Sequence, residues 1–424
     1  MTIRQPLSGG ISVLFVNQYY RPDVASTGQH LADLAEHLAG AGVDVTVWCG
    51  RGRYVSESVR APTAERREGV AIRRLAAPGA HRSRHAARLT SYALFYAQVF
   101  ARLLFSRSRF SGIVFLTTPP LLGFIGYCVR RLRGQRYAIW SMDLHPEAEF
   151  AAGVFREHGL VGGLSSRLAR LGYHGADFIV FLGPYMLERF RRSYTAPGRE
   201  VIVPVWGRVE DCTVEGDNPL TPEYNPDDRL VVAYSGNAGL AHRFDEILEA
   251  IARLASDGRF RFLFAGDGPR RPAIERFMAE RGIKNFNYLP YFRRRDVRHW
   301  LSMPDVHLAS LRPEFAGISV PGKLYGIMAA ARPVLFVGPT ASETAETIRN
   351  ARCGEVIDPE AIRDPVGEIV RKLEAWARNR SDRLNCGRNG RDAFLNDFEK
   401  GRCCSRLEAA IRHHWEPSNR ERTT

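Results

Sequence analysis

Lysine is rare in this chain, and one lysine stands where a cation could do chemistry. The 60 basic residues include only four lysines, and Lys323 directly follows Pro321 and Gly322. Proline suits the first position of a helix, which predicts Lys323 in an opening turn beside free N–H groups. An ammonium at that position would bind a diphosphate; an ordinary surface lysine is the alternative. A buried stripe predicts that the side chain points away from the core; the stripe consists of Leu324, Ile327, Met328 and Ala331.

Three other loops in the same half of the chain combine glycine with a preceding predicted strand. Gly236-Asn237-Ala238-Gly239 is the most suggestive, because small residues let backbone N–H groups approach an anion at a helix start. Gly266-Asp267-Gly268-Pro269 and Gly338-Pro339-Thr340 are similar. Ordinary tight turns use glycine as well, so each of these loops alone is weak support for a site.

Short apolar runs alternate with helical patterns along the chain, which predicts parallel α/β sheets. A proline-rich stretch, 204–228, interrupts this alternation and predicts a linker. We therefore predict two doubly wound domains, 1–205 and 206–396, followed by a C-terminal helix and tail, 397–424. Ligands of such sheets bind beyond the carboxyl ends of the strands. The predicted strands are Ile11–Asn17, Val43–Cys49, Val70–Leu75, Ile113–Thr117, Tyr137–Ser141, Phe178–Phe181, Val201–Val203, Leu230–Ser235, Arg261–Ala265, Asn285–Leu289, Val306–Ala309, Pro333–Val337 and Gly354–Ile357.

The amino-acid composition excludes several classes of protein. With 424 residues, 45% hydrophobic and 25% charged, the chain is neither disordered nor a small disulfide scaffold. No apolar run reaches the roughly 18 residues of a membrane-spanning helix, and Met1–Gly10 lacks the apolar stretch of a secretory signal. The seven cysteines show no metal-binding spacing and are predicted to be reduced thiols. These features predict an intracellular protein without a bound metal.

The formal charge of +14 predicts an anionic partner or an arginine-decorated surface. Within 82–136, aromatic and aliphatic residues of two predicted helices are bracketed by arginines, among them Arg82, Arg84 and Arg88. Such helices either lie on an anionic membrane surface or cover the sheet with solvated ends. Nucleic acid is not expected, because no recognition motif accompanies the charge.

Taken together, the motifs resemble retaining glycosyltransferases of family 4, which have the GT-B fold. The resemblance spans about residues 11–410 and is similar in particular to bacterial enzymes of polysaccharide and lipid-linked glycan synthesis. It implies two Rossmann-like domains facing across a cleft, with a C-terminal helix crossing back to the first domain. The motifs that carry the resemblance are 17–23, 25–29, 143–147, 235–237, 265–269 and 320–334.

The resemblance implies roles for residues in both domains. Lys323 would contact the donor diphosphate, above the turn at Gly236 and Asn237, with His242 or Arg243 as a further basic group. The donor sugar would lie against Phe315, Ala316, Gly317 and Ile318, with Glu314 nearby.

The nucleobase would lie between Tyr291 and Phe292. From the first domain, His145 would face the donor sugar, and Thr27 and Gly28 would close over the phosphates or the acceptor.

The chain departs from the family pattern at one informative position. The family places a glutamate three residues after the motif lysine and another acidic residue eight positions earlier, where this chain has Gly326 and Ile318. A glutamate at 326 would share a helix face with Lys323 and reach the ribose hydroxyls. Three explanations stay open: a ribose held by other groups, a deoxynucleotide donor such as dTDP-sugar, or a weakened enzyme.

The resulting hypothesis is a metal-independent glycosyltransferase. It would move a sugar from a UDP- or dTDP-type donor to a polyprenyl-diphosphate-linked saccharide or other glycan, with retention, and His145 or Asp143 would assist the acceptor hydroxyl. It would act in the cytoplasm, at the inner face of the membrane. A non-hydrolysing nucleotide-sugar epimerase and a non-catalytic membrane-associated subunit are the alternatives.

Overall fold

The computed structural model describes residues 10–23, 25–51, 61–76, 85–196, 198–211 and 217–416; side chains of 85–89 are not included. The chain divides into two compact units: unit 1, Met1–Pro204 with Gly401–Thr424, and unit 2, Val205–Lys400. None of the described helices is long and apolar enough to cross a membrane.

The described part of unit 1 is built on an eight-stranded sheet with the order β3-β4-β2-β1-β5-β6-β7-β8. The central strands are buried on both faces, which is why their sequences are continuous apolar runs. The strands are β1 (Ser12–Val16), β2 (Asp44–Gly50), β3 (Ala64–Arg67), β4 (Val70–Leu75), β5 (Gly112–Leu116), β6 (Tyr137–Trp140), β7 (Ile179–Phe181) and β8 (Glu200–Ile202). The helices are α1 (Ser26–Gly40), α2 (His85–Phe105), α3 (Leu122–Arg133), α4 (Glu147–Ala151), α5 (Leu160–His174) and α6 (Pro184–Arg191).

The sequence pattern does not predict strand β3. It pairs with β4 antiparallel, at the edge of an otherwise parallel sheet. Its sequence, Ala-Glu-Arg-Arg, has no apolar alternation, because an exposed edge strand buries almost nothing. Glu68 and Gly69 connect the two strands with φ of 49° and 78°, the left-handed pair of a tight hairpin turn.

Helices α2 and α3 cover the sheet with their apolar faces. In α2, Phe95 and Val99 are fully buried, and in α3, Leu122 and Val129 are 1% exposed. The hypothesis that 82–136 offers this aromatic surface to a membrane is therefore wrong for these faces. Arg82 and Arg84 lie outside the described residues.

The described part of unit 2 is built on a six-stranded parallel sheet with the order β11-β10-β9-β12-β13-β14. Apolar side chains of β9, β10 and β12 form the centre of its main core with helices α8 and α13. The strands are β9 (Leu230–Ser235), β10 (Phe260–Ala265), β11 (Phe286–Leu289), β12 (Val306–Ser310), β13 (Val334–Val337) and β14 (Gly354–Ile357). The helices are α7 (Thr221–Tyr224), α8 (Asp245–Arg253), α9 (Arg271–Glu280), α10 (Val297–Ser302), α11 (Lys323–Ala329), α12 (Glu343–Ala351), α13 (Pro365–Arg378) and α14 (Arg380–Ala393).

The last helix, α15 (Lys400–Trp415), belongs to unit 1 from Gly401 onward, which confirms that the C-terminus crosses back to the first domain. Its final residue, Trp415, is 2% exposed and donates from Nε1 to the Asp177 carboxylate at 2.9 Å. A Cβ on Gly112 would lie 2.2 Å from the Trp415 ring, so β5 needs glycine at this contact.

Six described cysteines are free thiols, and Cys212 lies outside the described residues.

Candidate functional site

Lys323 begins α11, and its ammonium is buried. Helix α11 starts at Lys323 with Gly322 as its cap, so Pro321 precedes the helix and does not occupy its first position. The prediction that the Lys323 side chain points away from the protein interior is wrong: Nζ lies 3.5 Å from the centroid of the Tyr234 ring. Nζ has no hydrogen-bond partner among the described residues. Burial lowers the pKa of Lys323 well below its ordinary value.

The glycine-rich turns after β9 and β10 pack directly against each other beside this lysine. Gly236 has φ of +117°, and a Cβ built on it would lie 3.8 Å from the Lys323 Nζ. A Cβ on Gly266 would lie 2.0 Å from the Gly236 carbonyl oxygen, and one on Gly268 would lie 2.6 Å from Asn237 Oδ1. Both turns therefore require glycine for close backbone approach as well as for their positive φ.

Two further buried polar atoms near Lys323 lack hydrogen-bond partners among the described residues. They are Oδ1 of Asn237 and Oγ of Ser310. His242 lies between these residues. Its Nδ1 is 2.6 Å from the Ser310 carbonyl oxygen, and the charge of Lys323 contributes to lowering its pKa. Buried polar groups normally have partners, so a cation, an amide and a hydroxyl left unpaired together indicate a place where a polar ligand binds.

His242 and Arg243 do not supply the extra cation expected beside the turn. Burial, followed by the nearby Lys323 charge, lowers the pKa of His242 to about 3, so its imidazole is neutral. Arg243 is held by two carboxylates, Glu246 at 2.8 Å and Glu360 at 2.7 Å. These partners, Glu246 first, raise the pKa of Arg243.

Arg243 lines a cleft of about 430 Å³ at the carboxyl edge of the unit 2 sheet. Glu314 lies in the same cleft, forms an ion pair with Arg312 at 3.3 Å and is half exposed. Hydrogen bonding to backbone, then to Arg312, lowers the pKa of Glu314. The cleft alternates cations and carboxylates, which suits a ligand rich in hydroxyl groups. Its lining residues are Arg243, Asp245, Arg270, Arg312, Pro313, Glu314 and Glu360.

The loop from 313 to 318 is folded on itself. Phe315 is 5% exposed and Ile318 is fully buried. The backbone N–H groups of Phe315, Ala316 and Ile318 donate to carbonyl groups three residues earlier, at 3.0 to 3.1 Å. These three N–H groups are thus already paired within the loop, and the expectation that the donor sugar lies against residues 315–318 stays a prediction. Gly317 has φ of +68°, which allows the turn.

Tyr291 and Phe292 have different surroundings. Phe292 stacks on Trp300, with ring centroids 4.5 Å apart and planes 15° apart, as part of a small core. One face of Phe292 is thus covered by protein, and the expectation that Tyr291 and Phe292 flank the base stays a prediction. Tyr291 lies near Tyr234 and Tyr288 and contributes to raising the pKa of both, after burial.

Gly326 lies one turn beyond Lys323 on α11. A Cβ there would first meet Leu301 Cδ1, at 3.4 Å, and the residue is half-buried. A Cβ atom would therefore be accommodated at 326, and the neighbours of this position do not demand glycine.

In unit 1, His145 follows β6 and precedes α4. Its Nδ1 lies 2.9 Å from both carboxylate oxygens of Glu149, four residues later. Burial disfavours the charged ring, but Glu149 outweighs it and the pKa of His145 is raised. Glu149 was missed from sequence, because His145 precedes the helix on which Glu149 lies. The Asp143 backbone N–H donates to Thr117 Oγ1 at 3.2 Å.

Thr27 and Gly28 form the first turn of α1, beyond the carboxyl end of β1. A Cβ on Gly28 would lie 3.0 Å from the Tyr19 carbonyl, and Asn17 Nδ2 lies 3.5 Å from Thr27 Oγ1. Only β5 separates β1 from β6 in the sheet. The structure therefore brings Thr27, Gly28 and His145 to one edge of unit 1.

No three histidine, cysteine, aspartate or glutamate side chains cluster as a metal site anywhere in the described ranges.

Two doubly wound units, each with its candidate residues at the carboxyl edge, are the architecture of the GT-B fold. The family is shown by two domain models. The model described as "Glycosyl transferase 4-like domain" matches residues 27–206, and "Glycosyl transferases group 1" matches 229–375. The chain belongs to the family 4-like glycosyltransferases.

Individual relatives are distant but span the chain. It is 23% identical over 413 residues to WcaI of Escherichia coli K12, named as a colanic acid biosynthesis glycosyl transferase, covering 92% of this chain and all of WcaI. Among solved structures, sucrose-phosphate synthase of Thermosynechococcus elongatus has a TM-score of 0.76 at 14% identity, covering 95% and 98% of the two chains. HepE of Anabaena, solved in complex with UDP-glucose, has a TM-score of 0.71 at 11% identity, covering 95% and 100%.

Proposed function

We propose that this chain transfers a sugar from a nucleotide-diphosphate sugar to a lipid-linked saccharide or another glycan, in the synthesis of a cell-surface polysaccharide. The observation that carries the proposal is the buried Lys323 ammonium, which has no hydrogen-bond partner in the described part of the chain. A buried cation is costly unless an anion compensates it, and a donor diphosphate supplies that anion. The name of WcaI supports the polysaccharide setting, and the UDP-glucose complex of HepE supports the class of donor.

Chemistry in this proposal is electrostatic and needs no metal. As the bond from the anomeric carbon to the diphosphate breaks, negative charge grows on the leaving group. The buried Lys323 ammonium neutralises it. The acceptor hydroxyl attacks from the same face, which retains the anomeric configuration. His145, oriented by Glu149, receives or shares the hydroxyl proton.

The donor nucleotide in the proposal is UDP or dTDP. No carboxylate stands at position 326 to bind a ribose 2′-hydroxyl, although a Cβ atom would be accommodated there. A deoxyribose lacks that hydroxyl, so a dTDP-sugar loses less from the glycine than a UDP-sugar does. The proposed location is the cytoplasm, at the inner membrane face where lipid-linked acceptors are extended.

Calorimetric titration of UDP, dTDP, GDP and CDP in the presence of EDTA tests the donor site. We expect UDP or dTDP to bind, and stronger binding of dTDP would support the deoxyribose explanation of Gly326. Binding that requires a divalent cation would contradict the metal-free mechanism.

Two matched lysine variants then test Lys323 itself. Lys323→Met keeps the packing on Tyr234 but removes the charge, and we expect nucleotide affinity to fall roughly 10- to 100-fold, the value of a charge-assisted bond. Lys284→Met, at an exposed lysine of the same unit, should bind as the wild type does. Equal affinity in both variants would overturn the assignment.

Turnover distinguishes the proposal from its alternatives. A transferase consumes donor quickly only when acceptor is added. Conversion of the donor sugar without acceptor would indicate an epimerase, and absence of nucleotide binding would indicate a non-catalytic subunit.

A further inference from the structure

Beyond the carboxyl end of β6, unit 1 carries a cluster of exposed apolar side chains. The exposed fraction is 61% for Val154, 96% for Leu160 and 59% for both Val161 and Leu164. Leu160 and Leu164 are one helical turn apart on α5 and share a face. Single exposed apolar residues are common on protein surfaces, whereas a group of them marks an interaction surface. We call these four residues the docking patch.

The docking patch is built on a packed segment. A Cβ on Gly162 would lie 2.2 Å from the Arg156 carbonyl oxygen, so the turn before α5 lies directly against its first residues. Phe150 and Phe155 pack edge to face, with centroids 5.6 Å apart, and connect α4 to the same turn. The patch residues are therefore carried by a packed turn and helix.

Positive charge borders the docking patch. Between Phe150 and His174 the sequence has three arginines and one glutamate, Glu157. Arg156 and Arg167 are exposed, and neither forms an ion pair with another described residue. An apolar patch with cations at its border complements a bilayer that carries anionic headgroups.

The docking patch lies at a different edge of the unit 1 sheet from other exposed apolar residues. Phe105 and Leu132, 80% and 62% exposed, end α2 and α3 just before β5 and β6, at the amino edge of the sheet. The docking patch follows β6, as His145 does, and lies at the carboxyl edge. A strand of five residues separates the edges by about 17 Å.

We propose that the docking patch seats unit 1 on an anionic lipid bilayer, with Leu160, Val161 and Leu164 in the interfacial layer and the arginines among the headgroups. This inference rests on the proposed function in one respect: a lipid-linked acceptor requires the carboxyl edge, where His145 lies, to face the membrane. In this proposal the membrane contacts the docking patch and not the helix faces within 82–136.

Vesicle flotation of the full chain tests the inference. The vesicles contain phosphatidylcholine with or without about one-third phosphatidylglycerol. We expect the double variant Leu160→Ser, Leu164→Ser to lose roughly tenfold or more in partitioning to anionic vesicles. Replacing Arg156 and Arg167 by Gln should cost about fivefold for each arginine, with the loss shrinking as salt rises. The matched control, Phe105→Ser with Leu132→Ser, should bind as the wild type does.

Three outcomes would overturn the inference. They are unchanged flotation of the Leu160 and Leu164 variant, loss of flotation in the control instead, or equal binding of the wild type to neutral vesicles. Light scattering distinguishes a second copy of this chain as the occupant: the variant would then change from dimer to monomer without a change in flotation.

Nucleotide titration separates the docking inference from the proposed function. The Leu160 and Leu164 variant should bind nucleotide normally, because its substitutions lie outside unit 2. If the wild type binds no nucleotide but still needs the patch for flotation, the proposed transferase fails and the docking surface stands.

Discussion

At the scale of single residues, Lys323 combines a buried position with an ammonium group that could bind an anion. Its ammonium lies over the Tyr234 ring, beside two glycine turns that admit no side chain. Burial lowers the pKa of Lys323 well below its ordinary value, and an aromatic face is a weaker partner for a cation than a carboxylate or phosphate. The same burial that disfavours the charge in the free protein strengthens its bond to a bound anion.

Nucleotide affinity should therefore depend on pH through Lys323. The free protein holds the pKa of this lysine below its ordinary value, and a bound diphosphate raises it. Nucleotide affinity is then highest below the pKa that Lys323 has in the free protein. It falls as pH rises toward the pKa that Lys323 has in the complex. Titration of UDP or dTDP above about pH 7, where the nucleotide phosphate is already ionised, should show this fall. In that range, binding should take up a proton, seen as a heat that depends on the ionisation enthalpy of the buffer.

The Lys323→Met variant is the control for this pH dependence. Its residual affinity should be flat over the same range and should take up no proton. Proton uptake that persists in the variant would assign the titration to another group.

At the scale of elements, α4 positions His145. The helix starts two residues after His145, so Glu149 lies within 2.9 Å of the imidazole Nδ1. This contact leaves Nε2 as the ring nitrogen available to a substrate.

Removing the Glu149 charge should lower the pKa of His145. We expect Glu149→Gln to move the His145 titration, followed by NMR, to lower pH, since burial then acts unopposed. A raised pKa stabilises the fold below the ordinary value of about 6.5, and this contribution disappears as pH rises through the folded-state pKa. The variant should consequently lose stability at acidic pH and little at alkaline pH.

Glu157→Gln, at an exposed neighbouring carboxylate, is the control and should leave the midpoint of the His145 titration in place. Equal midpoints in the wild type and both variants would contradict the assignment.

At the scale of the whole molecule, the C-terminal helix closes unit 1. Residues more than two hundred positions apart meet there: Trp415 lies against Gly112 and bonds Asp177, and His37 contacts Glu408 at 2.9 Å. Unit 1 is therefore completed only when the chain has passed through unit 2 and returned.

Replacing Trp415 by Ala should destabilise unit 1 by about 3–5 kcal/mol, the usual cost of removing a large buried aromatic side chain. Denaturant unfolding measures the change, and nucleotide binding to unit 2 checks that the other unit stays folded. His413→Ala, on the exposed face of the same helix, should change the free energy of unfolding by less than about 0.5 kcal/mol. A similarly small change for Trp415→Ala would show that the helix is not needed to stabilise unit 1.

Strands and helices were predictable where burial imposes a pattern. Strands Val70–Leu75, Leu230–Ser235 and Gly354–Ile357 match the prediction residue for residue. The reason is clearest for Leu230–Ser235, because a buried parallel strand is a short apolar run. The pattern failed for β3, whose stability comes from its partner strand. It was also insufficient for α2, since an apolar helix face looks the same whether it packs on a sheet or on lipid.

The sequence by itself determined the two doubly wound units and the position of Lys323 at a helix start, because these follow from local periodicity and turn residues. The return of the last helix to unit 1 was implied by the family resemblance. Tertiary structure alone decided the charge environment of the site. Whether His242 is a cation, whether Arg243 is already paired and where the Lys323 ammonium lies depend on groups distant in sequence, such as Tyr234, Ser310 and Glu360. Electrostatic energies depend on distance and burial in three dimensions, and neither can be read from spacing along the chain.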